Sequence, residues 1–165
     1  MIDGNRLVEV LSLPSHDTRV VNFLKDLGLK RPVKDEDYNG VVLTMEDPSE
    51  KERFEIDFDE KCKTKKQIAG AYGNVDFYLN AITVQNSDLI TPPFGIDWND
   101  SYEEVKSIMD SKADYTNKYN DKIWILNDDE KKYILNIGFG ENKISSITLL
   151  PYNFDIKYKF IRNEN

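Results

Sequence analysis

A chain of 165 residues with 39% hydrophobic and 32% charged residues can bury a full core without a disulfide or metal staple. Its nine tyrosines, eight phenylalanines and two tryptophans argue against disorder. The formal net charge of −8 repels phosphate, which sets aside nucleic acid and anionic membranes and favours a cationic partner.

Residues 5–11 mix apolar and polar positions and suit a short helix or an entry strand, which Pro14 ends. Ser15 or Asp17 then caps a helix running to about Leu27. Val20, Leu24 and Leu27 recur at helical spacing, with Val21 and Phe23 widening the stripe, and Gly28 stands where a left-handed residue ends a helix.

Strands follow. Residues 41–45 are β-rich, and residues 52–60 alternate cleanly. Phe54, Ile56 and Phe58 share one face, and Arg53, Glu55, Asp57 and Asp59 share the other, the pattern of a strand with one buried and one wet side. Residues 61–73 form a basic, glycine-containing connection. Residues 75–85 form a long strand with a bulge near Asn80. Pro92, Pro93 and Gly95 mark residues 86–97 as a joint between two halves.

Ser101 and Glu104, three apart, form a capping box for a helix to about Ser111, with Tyr102, Val105, Ile108 and Met109 on one side. Three strands come next, at 122–127, 132–139 and 144–150, with turns at 127–130 and 140–142. The alternating tail, 154–162, reads as a final edge strand guarded by Lys157 and Lys159.

The halves, about 5–86 and 93–151, share one order of elements: a capped helix, then three strands. Phe54 to Phe58 parallels Tyr133 to Ile137, and Ala81 to Val84 parallels Ser146 to Leu149. One such unit would be marginal alone. The expectation is therefore a single α+β domain over 1–165, with two tandem helix-plus-three-strand units sharing an antiparallel sheet and helices packed on one face.

The stretch Pro93 to Val105, with Ile123-Trp124, Ile134 to Phe139 and Ile144 to Leu149, resembles the β-lactamase-inhibitor-protein-like unit, which small outer-membrane-assembly lipoproteins share. Asn99 stands where that pattern has a glycine before the serine, and the Gly-x-Pro that often follows the helix is absent. Proteins of this architecture encoded beside bacterial polymorphic toxins, including those of contact-dependent growth inhibition, include immunity proteins. The resemblance implies a scaffold that binds and neutralises a toxin.

Chemistry-bearing residues are sparse. His16 is the only histidine, and a place beside Ser15 at a helix start suits a surface residue better than a relay. Cys62 is the only cysteine, which excludes an internal disulfide; flanked by lysines but without a histidine partner, it suits an inert thiol. Asp97, Asn99 and Asp100, and residues 128–130, lack calcium-loop spacing and suit caps and turns. Gly70 to Gly73 lacks the lysine of a phosphate loop. No catalytic role, cofactor or metal is expected. The start lacks a basic, apolar leader, and no run approaches the ~20 apolar residues of a membrane span, so a cytoplasmic protein is expected.

Binding remains. Tyr38 follows Asp35, Glu36 and Asp37. Glu55, Asp57 and Asp59 form an acidic stripe, which Arg53 partly offsets. Trp98 lies between Asp97 and Asp100, and Trp124 precedes Asp128 and Asp129. Aromatic anchors with carboxylates suit a cationic protein partner. Each tryptophan also suits the core, Trp98 stapling its helix and Trp124 facing inward with Val105. Two other expectations stay open: a small-molecule-binding or enzymatic domain with its pocket between sheet and helices, and a homo-oligomer built through edge strands.

Overall fold

In a computed structural model, the structure describes residues 1–32, 43–60, 77–128 and 130–152. The cysteine, the basic connection 61–73, the tail strand 154–162, Asp35 to Tyr38 and Asp129 lie outside these residues.

The N-terminal segment is helical: α1 spans Asn5–Val10 and buries Leu7 and Val10. Helix α2, Thr18–Asp26, is capped by Asp17, whose carboxylate accepts from the Arg19 amide at 2.9 Å. Ser15, the other capping candidate, is instead fully buried. At the far end Gly28 takes φ 77°. The Leu29 amide donates to the Leu24 carbonyl and the Gly28 amide to that of Lys25, which satisfies the helix's last carbonyls and turns the chain out.

Among the described residues, seven antiparallel strands form one sheet in the order β1-β2-β3-β7-β6-β5-β4. They are β1 (Leu43–Glu46), β2 (Phe54–Asp59), β3 (Tyr78–Gln85), β4 (Tyr115–Thr116), β5 (Lys122–Asn127), β6 (Lys132–Gly140) and β7 (Lys143–Pro151). The two-residue β4 has no counterpart in the sequence pattern, because it exists only through its pairing with β5. Between β3 and β4 lies α3, Tyr102–Met109, opened by the Ser101–Glu104 capping box and closed by Asp110 in a left-handed conformation. It is shorter than its apolar spacing suggested, and Ile108, assigned to its inner side, is 42% exposed.

Asp57 pairs with Ala81 and Phe58 with Leu79. Asn80 is therefore the extra residue of a bulge, as the polar interruption in an apolar strand implied. The β6–β7 hairpin turns through Glu141 and Asn142, both with positive φ, the twist a two-residue hairpin loop needs.

One face of the sheet carries Phe54, Ile56, Phe58, Ile82, Val84, Ile147, Leu149, Leu135, Ile137 and Trp124, which cluster with the buried residues of all three helices. Residues 86–97, expected as a joint, are packed into this assembly. Ile90 bridges to Ile2, and the Asn86 side chain donates to the Ile144 carbonyl at 2.8 Å. The opposite face changes character across the sheet. Paired residues run Glu46, Glu55, Thr83, Thr148, Asn136, Ile123, Tyr115, acidic at the β1 end and apolar at the β4 end, where Ile123 and Ile134 are buried.

Candidate functional site

The acidic end of that face holds an open depression of about 450 Å³, lined by Glu46, Asp47, Glu50, Glu52, Phe54, Glu55, Thr83 and Gln85. Its shape follows from the loop joining β1 to β2. Asp47 is buried and acts as the loop's staple. Its carboxylate accepts from the Ser49 amide at 2.9 Å, the Arg53 amide at 3.1 Å, and the Arg53 guanidinium at 2.7 Å (Nε) and 3.1 Å (Nη2). The Arg53 guanidinium, with these amides, holds the Asp47 carboxyl far below the usual carboxylate range against the cost of burial.

The loop places Glu50 and Glu52 at the rim with φ of 62° and 54°. This left-handed region costs a non-glycine residue about 1 kcal/mol or more. Across β1 and β2, Glu46 stands directly opposite Glu55, a like-charge pair that weakens a sheet. Burial first, then the Asp57 and Glu46 charges, raises the Glu55 carboxyl above its ordinary value. Arg53 does not relieve them, because its guanidinium is held by Asp47. The offset to the acidic stripe expected from its position in the sequence is therefore spent elsewhere.

The other site residues divide. Asp57 accepts from the Thr44 hydroxyl at 2.7 Å beside the depression, and Asp59 ends β2. Asp97, Asn99 and Asp100 build the turn before α3: the Asp97 amide donates to Asp100 and the Asn99 amide to Asp97. Asp128 accepts from the Glu130 and Lys131 amides, and its strand lies five strand spacings from β1, roughly 24 Å away.

Both tryptophans belong to the core, the second of the two readings their sequence context allowed. Trp98 is 8% and Trp124 1% exposed, and their indole N–H groups donate to the Ile90 and Ser111 carbonyls. Buried indoles with satisfied donors offer a partner nothing to grip. Reasoning from the sequence missed Glu46, Asp47, Glu50, Glu52, Thr83 and Gln85. Glu46 is found only once the β1–β2 register is known.

Asp47→Asn is expected to lower stability by about 2 kcal/mol at pH 7, since the amide replaces a buried charge that accepts four hydrogen bonds. A depressed folded pKa contributes stability above the unfolded value of about 4, lost as pH falls towards the folded value. The gap between wild type and variant therefore narrows in acid. Urea melts at neutral and strongly acidic pH read it, and an equal gap at both would contradict the ion-pair account.

Among the described residues no helix is long and apolar enough to cross a membrane, and no group of three or more His, Cys, Asp or Glu side chains could hold a metal ion. Comparison with protein-family models, with curated proteins and with solved structures finds no match.

Proposed function

We propose that this chain is an immunity protein that binds a cognate, cationic bacterial toxin in the cytoplasm and occludes its active surface. On this reading it acts as a monomer without a catalytic role, cofactor or metal of its own. One observation carries the reading. Three locally unfavourable features, a cross-strand carboxylate pair and two glutamates in left-handed backbone, converge on one depression, where Arg53 is bound to Asp47 and leaves the Glu46–Glu55 pair unrelieved. Strain and repulsion gathered at one place are retained where they serve contact rather than folding. Lysine or arginine side chains from a partner would relieve the repulsion, and a nuclease groove shaped for phosphate supplies such side chains.

The β-lactamase-inhibitor-protein-like architecture, with two tandem helix-plus-three-strand units, belongs to the same proposal. Its support is the strand order, in which β1-β2-β3 and β7-β6-β5 lie side by side and meet through β3 and β7.

Co-expression with a toxin encoded by the neighbouring gene tests the function. Cells are expected to survive with the wild-type protein, and Glu55→Lys is expected to weaken toxin binding at least about tenfold, with the loss shrinking as salt rises. Glu55→Gln is expected to bind more weakly while gaining about 0.5 kcal/mol of stability, because it ends a like-charge pairing. Equal death with and without this protein would overturn the reading.

A second reading, a small-molecule-binding or enzymatic domain, has the same depression in its favour, since a carboxyl raised by burial and like charge suits proton transfer. That depression lies on the sheet's outer face rather than between sheet and helices. A reaction accelerated by the purified protein and abolished in Glu55→Gln would establish this reading in place of the first.

A further inference from the structure

The two edges of the sheet are finished differently. At the β4 edge, β5 turns the amides of Ile123, Ile125 and Asn127 away from β6. There Ile123 pairs with β4, and the Asp114 carboxylate accepts from the Ile125 amide at 2.7 Å. A side chain thus occupies the position an incoming strand would need.

Among the described residues the β1 edge has no such plug. The Asp47 amide donates to the Phe54 carbonyl, so the alternation of an antiparallel ladder directs the backbone groups of Met45 and Leu43 at β2 and those of Thr44 and Glu46 outward. Among the described residues nothing pairs them. The exposed side chains Thr44 and Glu46 alternate with the half-buried Leu43 and Met45, which pack against the core.

We propose that this open edge of β1 docks an extended segment of a cationic partner protein, which adds a strand to the sheet. Its backbone pairs with Thr44 and Glu46, its basic side chains lie on the face of Glu46 and Glu55, and its alternate, apolar side chains extend the core beyond Leu43 and Met45. The recognised segment is therefore an alternation of basic and apolar residues, the form that strand addition reads. A second copy of this chain is the poorer occupant, because edge-to-edge pairing would bring two acidic faces together.

The inference deepens the toxin-binding reading by naming the contact, and its test is separable. The full chain is titrated with a synthetic peptide of alternating lysine and valine, and with a counterpart interrupted by proline. Saturable binding is expected for the first alone, with slowed hydrogen exchange at the Thr44 and Glu46 amides.

Thr44→Pro is expected to weaken binding at least about tenfold while keeping the fold, because the outward N–H it removes serves no ladder bond. Glu46→Lys leaves the backbone edge intact and is expected to weaken binding through charge alone, which keeps the test decisive if the proline variant unfolds. Absence of binding, binding without protection of those two amides, or a solution dimer that Thr44→Pro dissolves would each overturn the proposal. If Thr44→Pro protects cells from the toxin as well as wild type does, the edge falls and the immunity reading stands. If wild type protects no cells yet binds the peptide at β1, the outcome is reversed.

Discussion

Trp124→Ala is expected to destabilise the protein by about 3–5 kcal/mol, a fall in melting temperature of roughly 10 °C or more for a chain of this size. The indole is 1% exposed and sits on β5 opposite Leu135. Its ring lies 6.0 Å from that of Tyr102, which in turn meets Phe139 at 5.9 Å. Removing it takes one of the two sheet rings from the aromatic cluster through which Tyr102 joins α3 to the second half of the sheet. It also leaves the Ser111 carbonyl without its indole donor, at 3.2 Å. Trp124→Phe keeps most of the packing and loses only that hydrogen bond, at about 1–2 kcal/mol. Calorimetry reads both. The pair also separates core from interface: Trp124→Phe, once folded, is expected to bind a partner as wild type does. Lost affinity at unchanged stability would return this residue to the surface role its sequence context suggested.

Gly4→Ala is expected to cost about 3 kcal/mol, at the upper end of overpacking effects. Gly4 has ordinary helical backbone angles, so space and not conformation requires the glycine. A β-carbon there would lie 1.9 Å from the Thr91 carbonyl oxygen and 2.6 Å from the Pro92 carbonyl carbon. Backbone cannot swing aside as a side-chain tip can. Relief means lifting the N-terminal segment from residues 89–92. That breaks the bonds from the Ile2 amide to the Leu89 carbonyl at 2.8 Å and from the Thr91 amide to the Ile2 carbonyl at 2.9 Å. It also loosens Leu7 and Val10 in the core. Gly95→Ala is the control, with φ 76° but open space around it; it is expected to cost only about 1 kcal/mol. A larger loss at Gly95 than at Gly4 in denaturant melts would contradict the steric account.

The acidic site was half legible. Glu55 and Asp57 were found because alternation in residues 52–60 assigns them to the wet face of a strand, a property of one segment. Their partner Glu46 lay in a neighbouring strand and needed the register. Asp128 and the Asp97–Asp100 stretch carry two readings in the sequence, an acidic contact and a turn. Their carboxylates accept amides within three residues of themselves, the turn role already read from the sequence. Both tryptophans were ambiguous for a related reason: an aromatic beside acidic residues is exposed or buried according to what packs over it.

The features legible in the chain alone are local. The capped α2 with its Gly28 exit, the Ser101–Glu104 box, the strand alternation, the bulge at Asn80 and the hairpin at 141–142 all follow from hydrogen bonds and side-chain periods within a few residues of one another. Long-range packing alone settles that β3 lies beside β7, that Arg53 is spent on Asp47, that Gly4 must be glycine, that the tryptophans face inward, and that, among the described residues, one sheet edge is plugged while the other is open. Each of these depends on groups brought together by the packing of whole elements, and a linear pattern holds no record of which surfaces will meet.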